Sequence, residues 1–208
     1  MFKALVVDDH PFIRSSVKML LKQEGFEVVA EADNGADAVQ LAREHEPELI
    51  VLDIAMPKLD GLEVISRICA LGLSCKILVL TSQSPLFYSM RCMKAGAAGY
   101  ISKTNDLDEL VKAIKAVMGG YTFFPNLANS SVRRSDAQTT DLELIQTLSD
   151  RELTILQQLS QGLSNKEIGD AMLLSNKTIS TYKTRLIEKL KVKSVVYLAD
   201  FAKRNNLV

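Results

Sequence analysis

Two hydrophobic periodicities divide this chain. Over the first 120 residues, short unbroken apolar runs alternate with stretches whose apolar residues recur every three or four positions; over the last 60 only the second pattern is present. The runs predict strands over Lys3–Val7, Glu27–Ala32, Leu49–Leu52, Lys76–Leu80 and Gly99–Ser102. A run such as Leu-Ile-Val-Leu at 49–52, bounded by polar residues, suits a strand buried on both faces of a parallel sheet. Helices are predicted between them. Pro11 stands at a first helical position ahead of Ile13, Val17, Leu20 and Leu21, and Gly25 closes that element. Gly35–Arg43, the stretch carrying Leu62, Ile65 and Ile68, Pro85–Ala95, and the stretch from Leu107 through Leu110 and Ile114 to Val117 supply four more. Five strands alternating with five helices predict an α/β fold: a five-stranded parallel, doubly wound sheet with helices on both faces.

The C-terminal pattern is all-α. Ser149 caps a helix bearing Leu153, Leu156 and Leu159, and Glu152 three residues on completes a capping box; Ser164 and Glu167 repeat the arrangement ahead of Ile168, Ala171 and Met172. A turn at Leu173–Leu174 leads to Ser175 and a third helix from about Lys177 to Lys191. Two short helices joined by a tight turn, the second ending in basic residues, are a helix-turn-helix layout. Between the halves, Asn126–Asp141 holds too few apolar residues to repay the cost of ordering and reads as a mobile linker, and Leu142–Leu148 reads as the start of helical structure that caps the next domain. The predicted organisation is a domain over 1–120, a linker over 121–145 and a domain over 146–208.

Charge adds a direction. The chain has 25 basic and 25 acidic residues, but ten basic and six acidic lie from Leu148 onward, leaving 15 and 19 in residues 1–147. The halves are therefore about +4 and −4, and the basic half suits a polyanion. No run approaches the roughly 18 apolar residues of a membrane span, and the N-terminus lacks a signal-peptide layout. A cytoplasmic protein with no membrane partner is expected. Cys69, Cys75 and Cys92 form no close pair and read as reduced, mostly structural thiols. No G-x-G-x-x-G follows a strand and no G-x-x-x-x-G-K-[ST] is present, which argues against a nucleotide or dinucleotide enzyme.

The chemistry stands at the strand ends. Asp8 and Asp9 follow the first strand, Asp53 the third, Thr81 the fourth and Lys103 the fifth. In a parallel sheet all lie along one edge, where open α/β sheets place ligands. Three crowded carboxylates repel one another unless a cation sits among them. Hard oxygen donors without His or Cys suit Mg²⁺, which leaves room for a phosphate. A lysine and a hydroxyl supply what a bound phosphoryl group needs. The constellation therefore points to phosphoryl chemistry on a carboxylate nucleophile. His10 is read as the residue that opens the first helix beside the site, without a covalent role.

These residues, with Asp53 inside the run Asp-Ile-Ala-Met-Pro-Lys-Leu-Asp-Gly, resemble the receiver domain of two-component response regulators over residues 2 to about 120. The resemblance implies that Asp53 accepts a phosphoryl group from a sensor histidine kinase or phosphotransfer protein. It further implies that Asp9, Asp53 and the Ala55 carbonyl hold Mg²⁺ with Asp8 in support, that Lys103 pairs with the phosphoryl group, and that Thr81 and Tyr100 form a switch. Thr104 and Ser82 stand where receivers often carry proline and alanine.

On the third C-terminal helix, at 100° per residue, Ile179, Leu186 and Leu190 share one stripe, and Lys177, Thr181, Thr184, Arg185 and Glu188 lie opposite. A helix of this kind fits the major groove; a merely solvated amphipathic helix has the same periodicity. The run from Leu148 to Ser194 is similar to the C-terminal domain of LuxR-type regulators, and the two halves together resemble the NarL/FixJ family, in its BvgA/EvgA-like branch. The resemblance implies a transcription regulator, not an enzyme in the usual sense, that binds double-stranded promoter DNA as a homodimer. Lys177–Leu190 is then the recognition helix, and Ser194–Arg204 contributes to dimerisation. Ser180, Thr181 and Thr184 are assigned to bases, and Lys177, Thr178, Lys183 and Lys189 to the DNA backbone; Tyr182 replaces a histidine common in relatives. Two rivals are a phosphotransfer relay whose C-terminal helices bind protein, and an enzyme turning over a small phosphoester at Asp53.

Overall fold

The computed structural model describes residues 1–56, 61–104, 106–125 and 136–208, with side chains from 141 onward in the last span. Residues 57–60 of the run that begins at Asp53 and the 126–135 part of the expected linker lie outside the described residues. The chain divides into two compact units, Met1–Pro125 and Asn126–Val208.

The first unit is a five-stranded sheet flanked by helices. Its elements are β1 (Phe2–Val7), α1 (Pro11–Gln23), β2 (Phe26–Ala32), α2 (Gly35–His45), β3 (Leu49–Leu52), α3 (Gly61–Ala70), β4 (Lys76–Thr81), α4 (Pro85–Ala95), β5 (Gly99–Ser102) and α5 (Leu107–Met118). The strands are ordered β2-β1-β3-β4-β5, and every neighbouring pair is parallel. This is the predicted α/β class. Alternate strand residues face opposite sides. One face, with Ala4, Val6, Leu49, Val51, Leu78 and Leu80, packs against Val17, Leu20 and Leu21 of α1 and Leu110, Ile114 and Val117 of α5. The alternating set Leu5, Val7, Ile50, Leu52, Ile77 and Val79 is buried as well. A sheet covered on both faces explains why its strands read as unbroken apolar runs.

Two glycines are required by close approach. A Cβ on Gly61, at the start of α3, would lie 2.3 Å from the Cα of Ile54, so only glycine lets α3 begin this close to the segment after Asp53. A Cβ on Gly99 would meet Leu78 Cδ1 at 2.7 Å and the Phe123 carbonyl oxygen at 3.0 Å. Phe123 lies there because its N–H donates to the Ala98 carbonyl at 3.0 Å and its own carbonyl accepts from Tyr100 N–H at 2.7 Å. Phe123 therefore belongs to the sheet edge, although it falls within the segment expected as linker.

The second unit contains α6 (Asp136–Gln146), α7 (Asp150–Ser160), α8 (Asn165–Met172), α9 (Asn176–Lys189) and α10 (Val195–Arg204). Both predicted capping boxes are present: the hydroxyls of Ser149 and Ser164 accept from the N–H groups of Glu152 and Glu167, whose carboxylates accept from the serine N–H groups. The core gathers Leu153, Ile155, Leu156, Ile168, Ile179, Leu186, Leu190, Leu198 and Phe201. Helix α6 departs from the linker reading. Ile145 and Leu148 are buried, and Asp141 accepts from Arg204 Nε at 2.7 Å and from Asn205 Nδ2 at 3.0 Å. From Leu142 the helix agrees with the helical start expected there, and before it the helix runs into the stretch read as linker.

Candidate functional site

The sheet edge assembles the first site by register. Val7 pairs with Leu52 and Leu52 with Val79, while Thr81 pairs with Ser102. Asp8 and Asp53 thus follow directly paired residues, and Lys103 follows Ser102. The backbone carries the ladder one step further: Asp53 N–H donates to the Val7 carbonyl at 2.8 Å, and Lys103 N–H to the Thr81 carbonyl at 2.9 Å.

The side chains converge there. Asp8 and Asp53 are buried, 3% and 2% exposed. Lys103 Nζ lies 2.6 Å from Asp53 Oδ2 and 2.7 Å from Asp8 Oδ2, bridging the two carboxylates. Burial alone would lower the Lys103 pKa, but hydrogen bonds to Asp53 and Asp8 outweigh it and leave the ammonium above its ordinary value. The opposite oxygens meet backbone donors: Asp53 Oδ1 accepts from Ala55 N–H and Asp8 Oδ1 from His10 N–H, each at 2.9 Å. Arg14 Nη1 donates to the Asp8 carbonyl at 2.6 Å, a support that helical spacing could not reveal.

Thr81 is fully buried, and its hydroxyl oxygen accepts from Gln83 N–H at 3.4 Å. Tyr100 is turned inward, 1% exposed, with its hydroxyl donating to the Gln83 carbonyl at 2.7 Å. Gln83 therefore joins the two residues expected to form a switch. Burial, with Cys92, Tyr88 and Asp53 nearby, pushes the Tyr100 phenol far up and keeps it a donor.

The pocket fits a hard divalent cation. Asp8, Asp9, His10 and Asp53 each offer a donor atom, all within 4.8 Å of one another. A sphere with bonds of about 2.1 Å spans about 4.2 Å between opposite donors. Asp9 Oδ1 is shut off from solvent without a hydrogen-bond partner. It lies 2.7 Å from His10 Nδ1 without the alignment of a hydrogen bond, while the same nitrogen is hydrogen-bonded to Asp8 Oδ1 at 3.3 Å. An orphaned carboxylate oxygen of this kind is what a cation satisfies.

In the second unit, Ile179, Leu186 and Leu190 of the α9 region face the core. Lys177, Ser180, Thr181, Thr184, Arg185 and Glu188 are exposed, and Thr178 is half-buried. The hydroxyls of Ser180, Thr181 and Thr184 donate to the carbonyls of Asn176, Lys177 and Ser180 on their own helix, and Ser180 Oγ also accepts from Asn165 Nδ2 at 3.1 Å. Two lysines are engaged within the domain. Lys183 Nζ donates to Asn165 Oδ1 at 3.0 Å, tying α9 to α8. Lys189 Nζ lies 2.7 Å from Glu152 Oε2 and donates to the Thr147 carbonyl at 3.4 Å. Sequence spacing does not disclose either engagement, because both partners lie on other helices.

Comparison with known proteins assigns both halves. Residues 4–115 match the response regulator receiver domain family, and residues 146–202 the bacterial regulatory proteins of the luxR family. The chain is 55% identical over 205 residues to the transcription regulator BvgA of Bordetella pertussis, covering 99% of this chain and 98% of that protein. The chain is a LuxR-type response regulator. The DNA-binding transcriptional activator EvgA of Escherichia coli is 33% identical to this response regulator over 204 residues, with 98% of each chain covered. The Salmonella typhimurium response regulator RcsB, solved in work on its conformational dynamism for DNA interaction, superposes with a TM-score of 0.75 at 25% identity over 98% of each chain. Among the described residues of this regulator, no helix is long and apolar enough to cross a membrane.

Proposed function

We propose that this regulator is switched by phosphorylation of Asp53 and reads promoter DNA with α9. The observation that carries the reading is the Lys103 ammonium held 2.6 Å from Asp53 and 2.7 Å from Asp8 at the end of β3. An Asp53 oxygen attacks the phosphorus of a kinase's or phosphotransfer protein's phosphohistidine. The O–P bond forms as the P–N bond breaks, and the departing imidazole takes up a proton. Lys103 then turns from carboxylate to phosphoryl oxygen, and the Thr81 hydroxyl donates to another. Asp9, Asp53 and the Ala55 carbonyl, with Asp8 in support, would hold Mg²⁺, which supplies positive charge against the phosphoryl oxygens.

Phosphorylation favours whichever arrangement of Thr81, Gln83 and Tyr100 holds the phosphoryl group better. Output runs through α9. Lys177 and Thr178 meet the DNA backbone and Ser180, Thr181 and Thr184 the bases, with Lys183 and Lys189 reaching phosphate only if they leave Asn165 and Glu152. Dimerisation on paired half-sites through α10 is supported by the exposure of Val196 and Tyr197, 72% and 51%. A phosphohistidine donor carrying labelled phosphate tests the acceptor. The wild-type protein should take up label and Asp53→Asn should not; equal labelling of the variant would remove Asp53 from its role.

A further inference from the structure

We infer that His10 is a nitrogen ligand to the ion in the acid pocket, giving this site a mixed nitrogen and oxygen donor set that selects borderline divalent ions such as Co²⁺ and Zn²⁺. The inference rests on the acid-pocket reading above and goes beyond it. Lys103 occupies Oδ2 of both Asp8 and Asp53. The opposite side of the pocket then holds Oδ1 of Asp8 and Asp53, the unpartnered Oδ1 of Asp9, and the His10 ring. His10 Nδ1 lies 2.7 Å from Asp9 Oδ1 and 3.3 Å from Asp8 Oδ1. Neighbouring donors around an ion with bonds of about 2.1 Å are about 3 Å apart, so the imidazole already stands at the separation of a shared coordination sphere.

Beyond a hydrogen bond at 3.3 Å between its Nδ1 and Asp8 Oδ1, the fold does not use this imidazole. His10 caps α1 through its backbone carbonyl, its side chain makes no capping bond, and the ring is 66% exposed. Oxygen-only sets suit Mg²⁺, whereas imidazole favours Co²⁺, Ni²⁺ and Zn²⁺. An added nitrogen therefore changes the ratio of affinities among ions and leaves the strength of Mg²⁺ binding largely to the carboxylates.

The test is calorimetric binding of Mg²⁺ and of Co²⁺ to the intact protein, its His10→Ala variant and its Asp53→Asn variant. Proton NMR of the Co²⁺ form adds a second readout, because a ligating imidazole gives strongly shifted ring resonances. His10→Ala should weaken Co²⁺ by about tenfold or more, as losing a metal-site group does, change Mg²⁺ less than twofold by the donor preferences above, and remove the shifted resonances. Asp53→Asn should weaken both ions. Unchanged Co²⁺ affinity in His10→Ala, or an equal loss for both ions, would overturn the inference while Asp53→Asn still supports the acid pocket. If Asp53→Asn leaves Mg²⁺ unaffected, the pocket reading itself falls. Co²⁺ binding that neither substitution alters would place that ion elsewhere and also overturn the inference.

Discussion

Lys103 shows how one side chain sets the state of a site. Its ammonium offsets the repulsion between two buried carboxylates at adjacent strand ends. Lys103→Met keeps most of the length of the side chain and removes the charge. Phosphotransfer to Asp53 should then fall by about a hundredfold, the loss typical of one preorganised electrostatic group. A variant that transfers at the wild-type rate would show that the lysine serves only to hold the pocket closed. The five polar residues here were legible in the sequence because each ends an apolar run, and parallel strands bring their ends to one edge. The Arg14 contact to the Asp8 carbonyl and the His10 ring against Asp8 and Asp9 were not. They depend on how α1 leaves β1, which residue spacing does not specify.

At the scale of elements, α7 and α9 are held together by Lys189 and the buried Glu152. Burial raises the Glu152 carboxyl, but hydrogen bonds from Lys189 and from the Ser149 backbone and hydroxyl leave it below its ordinary 4.5. A carboxylate depressed in the folded state contributes stability above its unfolded pKa and loses it as pH falls through the folded one. Lys189→Met should open α7 and α9 by about 2–3 kcal/mol near neutral pH, less than the roughly 3–5 kcal/mol of breaking a fully buried pair because the lysine is partly exposed. Amide exchange in the intact protein reads this, and the gap from wild type should narrow as pH falls below 4.5. A gap that persists in acid would mean that packing, not charge, is lost.

The turn between α8 and α9 depends on Gly169, where a Cβ would stand 2.7 Å from the Leu174 carbonyl oxygen. Gly169→Ala gains about 1 kcal/mol of helix propensity but must push apart a packed turn, at about 1–3 kcal/mol. Weaker DNA binding together with faster exchange in α8 is the expected outcome; wild-type binding would show that the turn has slack. Capping serines and apolar spacing made α7, α8 and α9 legible from sequence. Helix α6 was legible only from Leu142 onward; its earlier part was not, since Asp141 is held by Arg204 and Asn205, more than 60 residues away in the chain.

Across the whole molecule, the proposed function assigns the phosphoryl group to the acidic N-terminal half and the nucleic acid to the basic C-terminal half. Charge on the second half has a direct signature: affinity for DNA falls as salt rises, because bound lysines and arginines release counterions. Coupling between the halves requires a difference in free energy, and a near-complete switch needs about 5.5 kcal/mol between the two states. The most direct test of the account is binding of the intact protein to a random DNA pool with and without a small phosphodonor, with Asp53→Asn alongside. The account predicts salt-sensitive selection of particular sequences that strengthens with the donor in the wild-type protein and not in Asp53→Asn. Donor-independent binding of equal strength in both proteins would contradict it.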